Sequence, residues 1–498
     1  MLEFSWCALS TKPPTRVRST ATRTLPLEFL DMVIRQHLQE DAKTLKTLSL
    51  TCRYIAGKAQ PLLFQRLDVY VHPTLGQRRG TALCQLISSY RHLIPYVKHV
   101  RLHSLFSEDA RRPDLGPDND ALRILLNLPY LTKITIVGYN NRSWNIIPRN
   151  AQLAIKTSLR GKKVSAVEVQ AMSDFPVYLL EGCRSLKSLT LAVPSISCYP
   201  ATDSDGVAKK TMTFPLNCDL LQPSPIHLER LAVTMPTPQL VELTEWLLSD
   251  KCSLNMTRVR TLRVRQRGQY SFSDHLTSVS RLLSTCNATL EELEMDAYTP
   301  GHTVDITTPL SHLVGNKSGH TPDDHDPPLP TVECVYKRID VASLKSLRRI
   351  SLTFGIQNLY DQRRHLRLLA QMFRNIDRGA GCKLEEVGLF LWASHKSHRK
   401  TTPECNLSQQ LLGSGSWDEF DRVISMRGLE NAPREGGVLR PPSVDVDAAS
   451  AAGIKRLKIQ FGQVEDLEEA ASLMAICLPR LTAKGAVLLE QKPKCINS

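Results

Sequence analysis

The sequence predicts an α/β protein in which a small N-terminal helical module precedes an irregular solenoid of parallel strands and helices. Three observations predict it. A six-residue apolar pattern recurs ten times between Val97 and Ile459. Amphipathic helical stretches separate several of its copies. A separate run of helical periodicity occupies residues 24–69, ahead of the first copy. The hydrophobic content of 42% is close to that of globular chains, so wholesale disorder is excluded.

Residues 1–23 hold Ser, Thr, Pro and the cations Lys12, Arg16, Arg18 and Arg23, and read as a disordered tail. They contain no continuous apolar stretch, so no secretory signal is expected. The chain has no run of 18 apolar residues, so no membrane span is expected either. Its 13 Cys are scattered, odd in number and free of Cys-x-x-Cys pairs. They predict reduced, mostly buried thiols in a cytoplasmic or nuclear protein.

Residues 24–69 predict three short helices. Pro26 suits a first helical turn, where a missing N–H costs little. Glu28 suits the same turn through the helix dipole. Leu27, Leu30, Val33 or Ile34, and Leu38 then recur at helical spacing. Asp41 can cap a second helix, with Leu45, Leu48, Cys52 and Ile55 expected on one face. On that spacing Cys52 is expected to be a core residue, although Arg53 beside it is the kind of neighbour that activates a thiol. A third helix is expected after Pro61, holding Leu62, Leu63 and Phe64. About 45 residues bury little core, so such a module must pack against the chain or a partner.

Over residues 70–490 the pattern φ-x-x-φ-x-φ organises the chain. Its copies begin at Val97, Leu131, Val164, Leu186, Leu228, Val259, Leu290, Leu347, Leu384 and Ile454. The second and third apolar positions alternate with polar residues, as a half-buried strand requires. This is the signature of leucine-rich repeats, one strand per unit. Helices are expected over 239–250, 275–286, 360–376 and 465–478. One unit cannot bury its own face, so neighbours must stack. The copies start 22 to 70 residues apart, against about 20–29 in a regular array, so the repeat is degenerate. Segments near 195–225, 298–335 and 391–450 read as loop insertions.

The residues Leu25-Pro26-x-Glu28-x-Leu30-x-x-x-Ile34, the acidic turn Glu40-Asp41, and Leu45, Leu48, Ser49, Cys52 and Arg53 resemble an F-box. So does the following Pro61-Leu62-Leu63-Phe64, which runs into Leu67-Asp68-Val69 as in the F-box proteins abundant in fungi. Ile55 departs from the pattern, standing where the family usually carries an aromatic. The resemblance covers under a tenth of the chain. It implies a helical module that docks on a Skp-type adaptor and, through it, a cullin scaffold. Leu25, Pro26, Leu30, Ile34, Leu45, Leu48 and Cys52 would then serve adaptor docking, some directly and some as the module's own core. Joined to the solenoid, the resemblance implies a non-catalytic substrate receptor of a ubiquitin ligase, with an unknown protein as substrate.

No residue set supports enzyme chemistry. Gly413-Ser414-Gly415-Ser416 lacks the Gly-Lys-Ser/Thr of a phosphate loop. Cys382, His395, His398 and Cys405 lack the paired spacing of zinc ligands. His320 and His325, among Asp323, Asp324 and Asp326, read as a solvated acidic loop. No cofactor or metal is expected. The 63 Lys and Arg against 49 Asp and Glu give a net charge of +14, and the pI is near 9.2. Arg258, Arg260, Arg263, Arg265 and Arg267 overlap one repeat strand, where Val259, Leu262 and Val264 should point inward. The outward arginines, Arg258, Arg260, Arg263 and Arg265 foremost, are the candidate substrate grip for an acidic peptide, a phosphopeptide or a nucleic-acid backbone. Aromatics are only 6% and do not interleave with basic runs, which weakens the nucleic-acid reading. The alternatives are an interaction scaffold with no ubiquitin role, or a basic solenoid that binds nucleic acid.

Overall fold

The computed structural model describes residues 27–38, 41–71, 82–83, 85–104, 125–147, 149–161, 163–199, 225–250, 252–267, 272–296, 343–356, 366, 369–370, 373, 384–393, 417–426, 455–462, 467–483 and 486–491. The chain divides into two compact units between Arg66 and Leu67.

The first unit holds α1 (Leu27–His37), α2 (Ala42–Ser49) and α3 (Arg53–Leu63). Asp41 caps α2, its Oδ1 accepting the Thr44 N–H at 3.0 Å. The Thr44 hydroxyl and backbone N–H hold the Asp41 carboxyl below its ordinary value. The core is small. Ile34, Leu45 and Ala59 are buried, and Leu30, Leu38, Leu48, Ile55, Leu62 and Leu63 pack around them.

Two sequence expectations change here. The third helix begins at Arg53 rather than after Pro61 and runs through that proline. The Phe64 N–H still reaches the Gln60 carbonyl at 3.0 Å, so the last turn closes. Cys52 is exposed, not a core residue. Helix α2 stops at Ser49, and the Thr51 hydroxyl donates to the Leu48 carbonyl at 2.8 Å. That break shifts the helical phase, so Cys52 becomes the N-cap of α3 instead of continuing the apolar face of α2.

The second unit is built on one twelve-stranded sheet whose strand order follows the chain. The strands are β1 (Arg66–Val71), β2 (His99–Ser104), β3 (Lys133–Ser143), β4 (Ala166–Ser173), β5 (Ser188–Ala192) and β6 (Arg230–Met235). They continue as β7 (Thr261–Gln266), β8 (Glu292–Asp296), β9 (Arg349–Ile356), β10 (Glu386–Ala393), β11 (Arg456–Gly462) and β12 (Val487–Gln491). From β2 onward every neighbouring pair is parallel. Residues 66–69, expected as the end of the helical module, are strand.

All ten copies of the apolar pattern are strands, β2 to β11. Their second apolar positions face one another in one continuous rank: Val100, Ile134, Val167, Leu189, Leu231, Leu262, Leu293, Ile350, Val387 and Leu457. The third positions, Leu102 to Ile459, form a second rank beside it. Both ranks are buried, and so is every first position from Val97 to Leu384. The first position of the last copy, Ile454, lies outside the described residues. A one-residue slip would send a whole rank to solvent, so the pattern fixes the register.

The longer helices among the described residues of this unit lie between the strands in sequence. They are α4 (Arg149–Leu159), α5 (Thr237–Leu247), α6 (Phe272–Cys286), α7 (Trp417–Met426) and α8 (Leu467–Cys477). Helix α5 packs on β6 and against α6; Leu240, Leu243 and Trp246 of the one and Leu276, Val279 and Leu282 of the other are buried. Of the expected helix at 360–376, the described residues Leu366, Leu369, Ala370 and Phe373 are helical or buried at helical spacing.

Two expected insertions hold ordered structure. In 391–450, β10 continues to Ala393, and α7 buries Trp417, Phe420, Val423 and Ile424. Their spacing of three, three and one is helical and was hidden by the polar, Gly-rich sequence around it. In 195–225, Ile196–Ser197 pairs with Phe175–Pro176. Residues 1–23 and 298–335, the Cys382/His395/His398/Cys405 group, the His320/His325 loop and Gly413–Ser416 all lie outside the described residues.

Among the described residues the sheet has one irregularity. Between Val137 and Arg142 of β3 the register slips, so residues 138–141 stand opposite Ala171 alone. Asn140, Asn141 and Ala171 take left-handed φ values of 54°, 54° and 50°. A Cβ on Gly138 would lie 2.1 Å from the Ala171 carbonyl oxygen, so only glycine fits there.

Candidate functional site

Two surfaces concentrate chemistry, one in each unit. In the helical unit, Phe29, Met32, Leu50 and Tyr54 are exposed, Leu50 by 72%. Phe29 and Met32 lie three apart on one face of α1. Lys58 sits 5.7 Å from the Tyr54 ring centre and 3.4 Å from Asp31, joining α3 to α1. More large apolar side chains stand outside this unit than a core of three fully buried residues would predict.

The expected docking residues separate into three groups. Leu25 and Pro26 lie outside the described residues. Ile34 and Leu45 are core, while Leu30 and Leu48 are half-buried against it. Cys52 is exposed. Ile55 packs onto the core.

The second surface is the face of the sheet opposite the buried ranks. In β7, burial alternates, so Leu262 and Val264 are covered while Arg263 and Arg265 point out. Arg258 and Arg260 precede the strand and are exposed. The arginine row is therefore split, and only Arg263 and Arg265 line the groove that crosses β7 to β11. That groove has a volume of about 330 Å³. Strands far away in sequence supply its other charges: Glu292, Glu294, Arg349, Glu386 and Lys458. Its floor is narrow-chained, with Ser351 paired to Gly388 in register. A Cβ on Gly388 would meet Ser351 Oγ at 2.7 Å, so these two positions form a slot.

The groove is layered. Glu294 holds Arg263 at 3.2 Å and also bonds Arg265. Glu292 accepts from Arg349 Nη1 at 2.9 Å, and Glu386 lies 3.9 Å from its Nε. The carboxylates are the less exposed partners: Glu294 is 20% exposed, Glu386 28% and Glu292 38%, against 56% for Arg263 and 58% for Arg349. Carboxylates below thus orient guanidiniums above, and what a partner meets is mainly N–H donors.

A charge ladder runs along the start of the strands. Lys187, Glu229, Arg260, Glu291, Arg348, Glu385 and Lys455 follow in neighbouring strands, each backbone N–H donating to the preceding carbonyl at 2.8 Å. Their signs alternate without a break. Lys187 meets Glu229 at 2.8 Å, Arg260 meets Glu291 at 3.8 Å, and Lys455 meets Glu385 at 3.2 Å. Hydrogen bonds from the lysines hold the Glu229 and Glu385 carboxyls below their ordinary values. Further along the sheet, burial would raise the Glu168 carboxyl. Lys133 at 2.6 Å, with Thr135 and Gln170, holds it below instead.

The sequence reading missed Arg349, Lys458 and the three glutamates because it followed apolar positions alone. A signal was present. Arg263, Glu294, Ser351, Gly388 and Lys458 all occupy the fifth place of the six-residue pattern, so stacking the ten copies brings them into one row.

A cavity of about 390 Å³ lies beside Leu247, Asp250, Cys252 and Met256. It gathers no acid–base pair, and burial pushes the Cys252 thiol up to about 11, which keeps it protonated. Among the described residues no three His, Cys, Asp or Glu side chains converge as a metal set. No helix among them is long and apolar enough to cross a membrane. No protein-family model matches the chain, and no curated protein matches it.

Proposed function

We propose that this chain is a substrate-recognition subunit of a Skp–cullin–F-box type ubiquitin ligase, with no bond chemistry of its own. The observation that carries the reading is the helical unit. Its sequence follows the F-box pattern, and it keeps Phe29, Met32, Leu50 and Tyr54 outside a core too small to use them. Exposed apolar and aromatic side chains on a three-helix module suit a partner's apolar groove. The mechanism is proximity. The adaptor holds the module, the sheet holds a protein substrate, and the effective concentration of substrate near the charged conjugating enzyme rises.

The test is calorimetry of the full chain with a purified Skp-type adaptor at moderate and high salt. An apolar interface survives salt. Leu25→Ala with Pro26→Ala should weaken binding by about 1–3 kcal/mol if both are central anchors. Unchanged affinity in the folded double variant would remove these two residues from the interface. Absence of binding by the native chain at either salt would end the ligase reading and leave the sheet as a stand-alone interaction scaffold.

A further inference from the structure

We infer that the groove across β7 to β11 binds an acidic, carboxylate-bearing segment of a protein, laid in extended form across the strands. The inference rests on the receptor reading for its biological meaning but not for its chemistry.

The layering gives the sign of the ligand. Four cations, Arg263, Arg265, Arg349 and Lys458, line the groove against three carboxylates, Glu292, Glu294 and Glu386. Each carboxylate is less exposed than the arginine it holds, Glu292 by the smallest margin at 38% against 58% for Arg349, so the outermost groups are mainly donors. Arg263 is held through Nε, which leaves its two terminal nitrogens to face a planar acceptor such as a carboxylate.

The three glutamates give the class. They oppose dense negative charge and leave room for a monoanionic carboxylate at the Ser351–Gly388 slot. A dianionic phosphate there would face all three. A nucleic-acid backbone is a poorer fit still. It carries a charge every few ångströms, while the ladder beside the groove puts Glu229, Glu291 and Glu385 in every second strand.

Dimensions give the length. From β7 to β11 are four strand spacings, or about 19 Å. Six extended residues span about 20 Å. The slot, floored by Ser351 and Gly388 in adjacent strands, lies between Glu294 with its arginines and Lys458.

The experiment is fluorescence anisotropy of the full chain with a labelled extended hexapeptide that carries a single central glutamate, its glutamine counterpart serving as the control. Two variants are compared with the native protein, each checked for native circular dichroism. Arg349→Gln removes the central cation. Ser351→Glu keeps every residue of the ion pairs and fills the slot with a carboxylate. Both should weaken peptide binding by about tenfold or more, the cost of one charge-assisted contact. Short duplex DNA should fail to displace the peptide at equal charge concentration. Absence of peptide binding by the native chain, native affinity in both folded variants, or displacement by duplex DNA would each overturn the inference. Adaptor binding is measured on the same samples. Peptide binding without adaptor binding defeats only the ligase reading, and adaptor binding without peptide binding defeats only this one.

Discussion

The two faces of β7 make opposite predictions for adjacent residues. Leu262 is fully buried between Leu231 and Leu293 in the inward rank. Replacing it with alanine removes three carbons, at about 0.8 kcal/mol each, or about 2.4 kcal/mol of transfer free energy. The cavity that remains adds to this, and measured Leu→Ala costs in close-packed cores are about 3–5 kcal/mol. Arg263, one residue on, is 56% exposed, and its contact with Glu294 is a solvated pair. Arg263→Ala should cost under about 1 kcal/mol. In a stacked array the damage should also be local, because each strand contacts its neighbours only. The assay is hydrogen exchange resolved by segment. Leu262→Ala should lower protection most in β6, β7 and β8, and Arg263→Ala should leave it near native. Equal costs for the two variants, or loss spread evenly from β2 to β12, would refute the alternation and the stacking argument.

Other outcomes can be checked directly. Burial pushes the Cys183 and Cys286 thiols up to about 12, and Cys477 to about 11. A thiol reagent at neutral pH should therefore label exposed Cys52 in the native protein and reach these three only on unfolding. Burial also lowers His275 from 6.5 to about 4. Between those values the unfolded chain binds the extra proton, so stability is full above pH 6.5 and falls as pH drops toward 4, by about 3 kcal/mol. Urea melts of native protein and His275→Phe should differ in slope across that window. Asp41 works in the lower range. Its carboxyl is depressed from 3.8, so its cap contributes above that pH and is lost as pH falls through the folded value. Helical signal should decline less steeply below pH 4 in Asp41→Asn. Gly138→Ala should destabilise the second unit by about 2 kcal/mol or more, since its Cβ meets a backbone carbonyl that cannot move aside.

The ladder explains how an irregular repeat keeps its order. Copies that start 22 to 70 residues apart cannot rely on identical loops. Opposite charges in neighbouring strands contribute about 0.2–1 kcal/mol each, and like charges oppose pairing. From Lys187 to Lys455 each strand therefore matches its neighbours and mismatches a strand one place further away. Apolar ranks alone accept any order of copies, whereas an alternating polar position does not.

The sequence by itself determined the parallel strands. A strand buried on one face needs apolar residues at period two, because successive side chains point to opposite faces. Ten patterns therefore became ten neighbouring strands, and three of the four expected helices are seen in full within a few residues of their expected ends. Local rules also placed Asp41 as a cap. Tertiary structure decided what local spacing leaves open. Cys52 has the right spacing for α2, but the chain breaks at Leu50 and turns it outward. Helix α7 sits in polar, Gly-rich sequence and is identified by the four side chains it buries. The groove depends most on the fold, because Arg263, Glu294, Arg349 and Lys458 are separated by up to 195 residues and no local interaction relates them. They meet because register in a parallel sheet is transitive: once apolar ranks align each strand with the next, every polar position aligns as well.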